Sequence, residues 1–378
     1  MNFPQLDAPS ARRTLTVATR VLLALKLDGP LLVGLALVAC FGLVVLYSAS
    51  GQNTDMILRT LLRMGLGTVA MLAVAQLRPN TLRNIAPWLY AVGVLLLIAV
   101  DITGYIGKGA QRWLDLGFVR FQPSEVMKIA VPLLVAWYLQ DRSLPLGLGT
   151  LGVTAAIILV PVGLTALQPD LGTALLIMTG GALVVLMAGV PLLVLAALAV
   201  LGAGGAWFGW TLLHDYQRQR VFTFIDPQND PLGAGYHIIQ SQIAIGSGGV
   251  FGKGWMNGSQ SQLEYLPERH TDFIFAVIGE EFGLLGMLVL VMLYLFVVGR
   301  ALYLASQMQD TFARLLGSSL ALTFFVYVFI NTGMVCGLLP VVGVPLPLVS
   351  YGGTSMVTLL AGFGILMALY SHRKLVGS

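Results

Sequence analysis

Residues 315–372 read LLGSSLALTFFVYVFINTGMVCGLLPVVGVPLPLVSYGGTSMVTLLAGFGILMALYSH, 58 consecutive positions without Asp, Glu, Lys or Arg. Two helices of about 20 residues, each long enough to cross the hydrocarbon layer, account for most of this run. They are expected at 315–336 and 354–371. The remainder, 337–353, is rich in Pro and Gly, which break helices, yet it is too apolar for an exposed loop. It is expected to fold back into the protein at the membrane edge, where buried irregular backbone can find partners.

The same pattern extends outward. Residues 171–214 form a second charge-free run, 44 residues long, broken at Gly189-Val190-Pro191. It gives two spans, 171–188 and 191–213. Six further apolar stretches bounded by charge fall at 29–47, 56–77, 84–100, 126–140, 150–167 and 273–298. The whole chain of 378 residues is 57% apolar and 10% charged, with 44 glycines. A soluble domain carries about a quarter charged residues, so this composition excludes a water-facing globule. The fold class is therefore an all-α integral membrane protein of about ten transmembrane helices. It has a large external loop (214–272) between helices 7 and 8 and a Pro/Gly-rich fold-back segment before helix 10. The expected organisation is a short cytoplasmic N-terminal segment, 1–28, followed by one polytopic membrane domain, 29–378.

Charge sets the orientation. Ten spans place both ends on one side, and the loops on that side hold eleven basic and four acidic residues, against ten and thirteen on the other. By the positive-inside rule both termini are cytoplasmic and 214–272 faces outward, where ATP and nucleotide sugars are absent. No Walker A or GxGxxG phosphate cradle is present. The net charge of +4 is small and scattered, which argues against nucleic acid. Cys40 and Cys336 lie in apolar runs and are expected as packed helix residues. The four histidines, at 214, 237, 270 and 372, have no zinc-site spacing, and no metal ligand is assigned.

Four polar clusters collect on the external face, where each group must line a hydrated cavity or pair with another. Lys108, Gln111, Arg112 and Trp113 follow the third span. They read either as an interfacial anchor or as a cationic, stacking surface for a phosphorylated sugar. Gln122-Pro123-Ser124-Glu125 leads into Lys128, and Glu125 and Lys128 share a helix face at i, i+3, either as a structural pair or as charges kept near the hydrocarbon boundary because something polar passes nearby. Gln168-Pro169-Asp170 opens the sixth span, with Asp170 either a helix cap or a site residue. Arg269-His270-Thr271-Asp272 runs directly into Phe273-Ile274-Phe275. Asp272 thus sits at the lip of a span, half desolvated: it is either a helix cap or a carboxylate that holds its proton more tightly, as a general base requires. Glu280 and Glu281 lie about 12 Å further along a regular helix, too far for the paired carboxylates of a sugar hydrolase, and are expected to pair with other spans.

Together these stretches resemble the SEDS family of bacterial wall-building membrane proteins. The matching pieces are 108–113, Arg120-Phe121-Gln122-Pro123-Ser124-Glu125, Gln168-Pro169-Asp170-Leu171-Gly172-Thr173, Arg220-Val221 with Phe224-Ile225-Asp226-Pro227, 267–275, and Pro345-Leu346-Pro347-Leu348-Val349-Ser350-Tyr351-Gly352-Gly353. They span nearly the whole chain after about residue 30. Gln168, Glu268-Arg269-His270 and His372-Arg373-Lys374 are more similar to the rod-shape type than to the division type. The resemblance implies a ten-span peptidoglycan glycosyltransferase acting during cell elongation. Such an enzyme polymerises lipid II, the undecaprenyl-pyrophosphoryl disaccharide-pentapeptide, on the outer side of the bacterial cytoplasmic membrane. The family's essential external acid falls on Asp272. The implied partners are a class B penicillin-binding protein, which crosslinks the new strand, and other membrane proteins of the elongation complex.

The residues themselves fit that chemistry. A sugar hydroxyl attacking an anomeric carbon must lose a proton, whereas pyrophosphate is a good leaving group that needs cations. One carboxylate base suffices. Asp272 is the candidate catalytic base, with Arg269 or His270 shaping its affinity for a proton. Lys108, Arg112, Lys128, Arg218, Arg220 and Lys253 are the candidate diphosphate-binding cations, and Gln111, Trp113, Glu125, Gln168 and Asp170 complete the substrate-binding set. No cofactor is evident, and a divalent cation, Mg2+ or Mn2+, bridging Asp272 and the pyrophosphate stays open. Two other readings stand beside this one. A lipid II flippase needs a polar path through the membrane, for which Glu125, Lys128, Glu280 and Glu281 are the available groups. A noncatalytic scaffold needs none of the external polar groups.

Overall fold

The computed structural model describes residues 25–107, 110–115, 120–142, 146–190, 234–263, 265, 266 and 268–372, with the single positions 196, 200, 204, 205 and 218. The first half holds α1 (Gly29–Ala49), α2 (Thr54–Ala75), α3 (Pro79–Thr103), β1 (Tyr105–Gly107), β2 (Ala110–Asp115), β3 (Arg120–Phe121), α4 (Pro123–Leu139), α5 (Leu148–Leu167) and α6 (Leu171–Met187). After the undescribed stretch come α7 (Ala234–Gly248), α8 (Ser259–Gln262), α9 (Ile274–Ser306), α10 (Thr311–Val335) and α11 (Thr354–Ser371). Each expected span except 191–213, which lies outside the described residues apart from four positions, coincides with one of these helices. Among the described residues seven helices, α1, α2, α3, α5, α9, α10 and α11, are long and apolar enough to cross a membrane, and α6 is a shorter apolar one. Leu62 and Leu66 of α2, Leu95 of α3 and Met292 of α9 are exposed on the outer surface, where lipid is their natural solvent.

Local chemistry sets the helix ends. Asp28, Asn53, Asp170 and Asp310 cap α1, α2, α6 and α10 by accepting from amides three residues on. Proline starts α1, α3 and α4, where a missing N–H costs nothing. Asp28 also takes both Nε and Nη2 of Arg300, at 3.0 and 2.7 Å, tying the start of α1 to the end of α9. In the bundle α2 lies along α11, α9 contacts α1 and α10, and α4 sits among α3, α5, α6, α10 and α11. Tyr327, Phe312 and Phe324 are among the largest fully buried side chains. The expectation for the cysteines is not met: Cys40 and Cys336 are both exposed, and neither is in a disulfide.

Three departures from a plain helix bundle position the site. The expected loop after the third span contains a small antiparallel sheet of order β1-β2-β3, which pairs Tyr105 with Trp113 and Leu114 with Phe121. The described part of the external segment is not a solvated loop, because α7 packs on α9 and α10. Third, α9 is broken at Gly283, whose φ of 65° and ψ of −162° lie outside the helical region. The polar groups released there are met by the segment before α8: Lys253 and Gly254 donate to the carbonyls of Glu280 and Glu281, and Leu284 and Leu285 donate to those of Gly249 and Val250, all at 3.0–3.1 Å. A helix break inside an apolar bundle is tolerated where neighbouring protein satisfies its backbone in this way.

The fold-back expected at 337–353 is present. It contains no helix or strand, and Val344, Leu346, Leu348, Val349 and Ser350 within it are buried. It lies so close to α1 that a Cβ on Gly42 would come 2.7 Å from the Val349 Cα and 2.8 Å from the Leu348 carbonyl oxygen. Tyr294 Oη donates to the Pro347 carbonyl at 2.6 Å, fixing the segment to α9.

Gly283→Ala places a side chain at positive φ and overlaps the Gly252 amide nitrogen. It should cost about 3 kcal/mol. Gly299→Ala on the same helix meets nothing within 4 Å and should change stability by no more than about 1 kcal/mol, in the favourable direction. Thermal unfolding of both variants in detergent checks this; equal midpoints would refute the role assigned to the break.

Candidate active site

A single open space of about 1010 Å³ lies where the sheet, the starts of α4 and α6, the residues before α9 and the fold-back meet. Arg112, Trp113, Gln122, Glu125, Lys128, Asp170, Glu268, Thr271, Asp272 and Tyr351 all line it, with Gly343, Gly352 and Gly353 from the fold-back. Residues from all four polar clusters of the sequence therefore face one cavity at one end of the bundle.

Asp272 is held through its backbone. Its half-buried residue precedes Phe273, the N-cap of α9, which makes no side-chain cap bond, so Asp272 is not the helix cap. Asn331 of α10, fully buried, donates its Nδ2 to the Asp272 carbonyl at 2.9 Å and to the Val344 carbonyl at 2.8 Å. Ser350 Oγ donates to the Thr271 carbonyl at 2.6 Å and accepts from the Leu346 amide at 2.8 Å. The Tyr351 amide donates to the His270 carbonyl at 2.8 Å. Residues 270–272 are thus clamped to the fold-back and α10, with the carboxylate beside Gly343, whose Cβ would sit 3.6 Å from Oδ2.

The same cavity has a charged lining. Lys128 Nζ and Glu125 Oε1 are 2.7 Å apart, both side chains 7% exposed, and the ammonium lies 5.3 Å from the Tyr327 ring centre. Glu125 Oε2 is buried with no hydrogen-bond partner among the described residues. Asp170 acts both as cap and as cavity residue. Its Oδ1 accepts from the Thr173 amide at 3.2 Å, while Oδ2 accepts from Gln122 Nε2 at 3.1 Å and lies 3.8 Å from Arg112 Nε. Arg112 also donates to the carbonyls of Gln168 and Pro169, which fixes β2 against the start of α6.

Other expected site residues are placed elsewhere. The Gln168 side chain is buried and donates to the Leu97 carbonyl of α3 at 3.1 Å, away from the cavity. Lys253 is bound to Glu280 and Ser259, each at 2.8 Å. Glu280, fully buried, also accepts from the amides of Gln260 and Ser261 at 2.9 and 3.1 Å, so its partners come from the external segment rather than from another span. Glu281 does reach another span, accepting from Ser48 of α1. Arg269 donates to the Ser261 carbonyl, and the His270 ring meets Tyr351 edge-on at 6.1 Å. Lys108, Arg220 and the Gln111 side chain lie outside the described residues, and Arg218 stands alone within an undescribed stretch.

The structure also adds residues that the sequence reading did not single out. Asn331 and Ser350 hold the segment carrying Asp272. Arg63, an arginine in the middle of α2, lies 4.7 Å from the Tyr351 ring centre, with one terminal nitrogen buried and unpaired among the described residues. A cation at that depth is costly in lipid, and this was the available signal. His237 of α7 stacks on Phe273 at 5.6 Å; burial lowers its pKa against the opposing pull of Glu268.

Fold and cavity together define a polytopic membrane protein with a charged pocket at the end of its bundle. The chain belongs to the FtsW/RodA/SpoVE family of cell cycle proteins, which matches residues 30–375. It is 51% identical over 351 residues to the peptidoglycan glycosyltransferase MrdB of Escherichia coli K12, covering 93% of this chain and 95% of that protein. It is similar in structure to a chain of a peptidoglycan synthase complex that coordinates polymerization and crosslinking, with a TM-score of 0.82, 33% identity, and 92% and 98% of the two chains covered. The rod-shape-determining protein RodA of Thermus thermophilus gives a TM-score of 0.70 at 30% identity, with 92% and 97% covered.

Asn331→Ala leaves the carbonyls of Asp272 and Val344 without their shared donor and should cost about 2–4 kcal/mol. Lys128→Met strands a buried carboxylate and should cost about 3–5 kcal/mol, much of it recovered in the Glu125→Gln/Lys128→Met double variant. Detergent unfolding midpoints test both; additive effects at 125 and 128 would contradict a coupled pair.

Proposed function

We propose that this chain is a peptidoglycan glycosyltransferase that polymerises lipid II at the outer face of the bacterial cytoplasmic membrane during elongation, with Asp272 as general base. The observation that carries this reading is the convergence of Asp272, Arg112, Asp170 and the Glu125–Lys128 pair on one cavity at one end of the bundle. In that orientation both termini are cytoplasmic. A class B penicillin-binding protein is the crosslinking partner, within a larger set of elongation proteins.

The acceptor 4-hydroxyl attacks the anomeric carbon of the donor sugar. As the new C–O bond forms, its proton passes to the Asp272 carboxylate, and the bond to the pyrophosphate breaks with its electron pair leaving on the lipid diphosphate. Arg112 presents a planar fork suited to phosphate, and Lys128 adds a buried positive charge. Lys253, committed to Glu280, takes no part. Asp170 and Gln122 orient Arg112 and shape the floor.

Among the described residues no three potential ligands group as a metal site. Asp272 is the residue that would hold a divalent cation, which would neutralise charge on the diphosphate. A flippase reading finds less support. A neighbouring open space between α4, α10 and α11 shares Lys128 with the cavity, and apart from Lys128, Thr323, Tyr327 and Thr358 its lining is apolar, with Leu320, Ala321, Phe324, Phe363 and Leu366.

The full-length protein, purified with its crosslinking partner and given labelled lipid II, should make glycan strands. Asp272→Asn and Asp272→Ala should lower the rate at least about 100-fold, the contribution of a positioned base. Undiminished polymer from folded Asp272→Ala would remove the proposed base, and lipid translocation in vesicles without polymer would favour the flippase.

A further inference from the structure

A second pocket opens at the opposite end of the bundle, between the start of α3, the α9–α10 turn and the end of α11. Its open space is about 1200 Å³, and Arg78, Asn80, Arg83, Asp310, Leu369 and His372 line it. Helix α3, 25 residues long, runs from this pocket to the sheet beside Asp272, a separation of about 37 Å at about 1.5 Å per residue. Nothing in the glycosyl-transfer reading uses it.

The pocket carries more positive charge than its contacts neutralise. Arg78 is exposed, makes no cap bond for α3, and has no side-chain hydrogen bond or ion pair among the described residues. Arg83 gives Nη2 to Asp310 at 2.5 Å and Nη1 to Asn80 Oδ1 at 3.2 Å, while its Nε is buried without a partner among the described residues. A buried donor left unmet is costly, and a ligand oxygen would relieve it. His372 Nδ1 lies 2.9 Å from the Ala368 carbonyl oxygen, which can only accept. In the neutral ring Nδ1 therefore carries the proton, and Nε2 accepts from Lys26 Nζ at 3.4 Å, which brings a third cation to the rim. Asp310 is the one acid among the lining residues. Its charge is already shared between Arg83 and, through Oδ2, the Ala313 amide at 3.1 Å. Arg373 and Lys374 follow His372 in the chain.

We propose that this pocket binds a phosphate-bearing anion between Arg78 and Arg83: either the headgroup of an anionic phospholipid or free phosphate. The location suits a headgroup, because helix ends are where spans enter the interfacial layer and where basic pockets between helices take anionic lipids. Arginine supplies the fork that matches phosphate oxygens. Asp310 tempers the site by occupying part of Arg83.

The test uses the full-length protein and two variants of opposite expected effect. Native mass spectrometry after extraction from phosphatidylcholine and phosphatidylglycerol mixtures compares retention of the two lipids. Thermal shift with inorganic phosphate provides the second arm. The native chain should retain phosphatidylglycerol over phosphatidylcholine, and Arg78→Gln should weaken that retention about fivefold, the change expected for one basic residue at an anionic surface. Asp310→Asn keeps a cap acceptor for α10 while removing the competing charge, and should strengthen it. Retention of phosphatidylglycerol that millimolar phosphate does not displace assigns the site to the lipid. Arg78-dependent stabilisation by phosphate, with no lipid preference, assigns it to the free ion. Binding of neither anion in an Arg78-dependent way, or weaker binding by folded Asp310→Asn, would overturn the proposal.

Discussion

Backbone that leaves a helix inside an apolar bundle has no water to turn to, so every released N–H and C=O must be met by protein. That constraint shapes the cavity end of this molecule. The fold-back before α11 has no regular structure, yet it is held by Asn331, Ser350 and Tyr294. The first two of these also bind the backbone of 271 and 272. Satisfying the fold-back and fixing Asp272 are therefore one arrangement. The break at Gly283 follows the same logic, with 249–254 inserted to take up what the helix releases. Glu280, a few residues away, gathers Lys253 and the first turn of α8 around itself.

Charge placement is the second layer. A buried ion pair seldom adds stability over an apolar pair of the same shape, because both partners lose their hydration. The Glu125–Lys128 pair is better understood through what it offers the cavity: a fixed cation whose partner carboxylate keeps one oxygen unpaired among the described residues. Arg112 and Asp170 are arranged differently, 3.8 Å apart, with the arginine half-buried and the carboxylate buried. Asp272 lines the same cavity as both, with Gly343 leaving space beside its carboxylate.

Much of this was legible in the sequence, and the rest was hidden for identifiable reasons. Charge-free runs marked the spans, since a polar residue in lipid is costly enough to be rare. The proline and glycine content of 337–353, set in an apolar context, marked the fold-back. The four polar clusters were visible as groups that must converge or pair, and one cavity does join residues of each. The strands were not visible, because elements of three, six and two residues carry no readable alternation. Gly283 looked like any glycine in a hydrophobic helix, its break being set by a loop that precedes it by some thirty residues. Lys253 read as one more external cation because nothing in its surroundings points forward to Glu280. Gln168 belonged to a motif whose other polar member, Asp170, does face the cavity; its own side chain turns to α3. Asn331 was a lone amide in a span, and only packing shows that it serves two carbonyls.

Glycosyl transfer by this chain requires the Asp272 cavity to be where two lipid-linked sugars meet. The most direct measurement is an experimental structure of Asp272→Asn with its crosslinking partner and lipid II trapped at the site. The expected result is an acceptor 4-hydroxyl within about 3 Å of the side chain at 272 and a diphosphate beside Arg112 and Lys128. A saccharide seated elsewhere, with this cavity filled only by water or by protein, would contradict it.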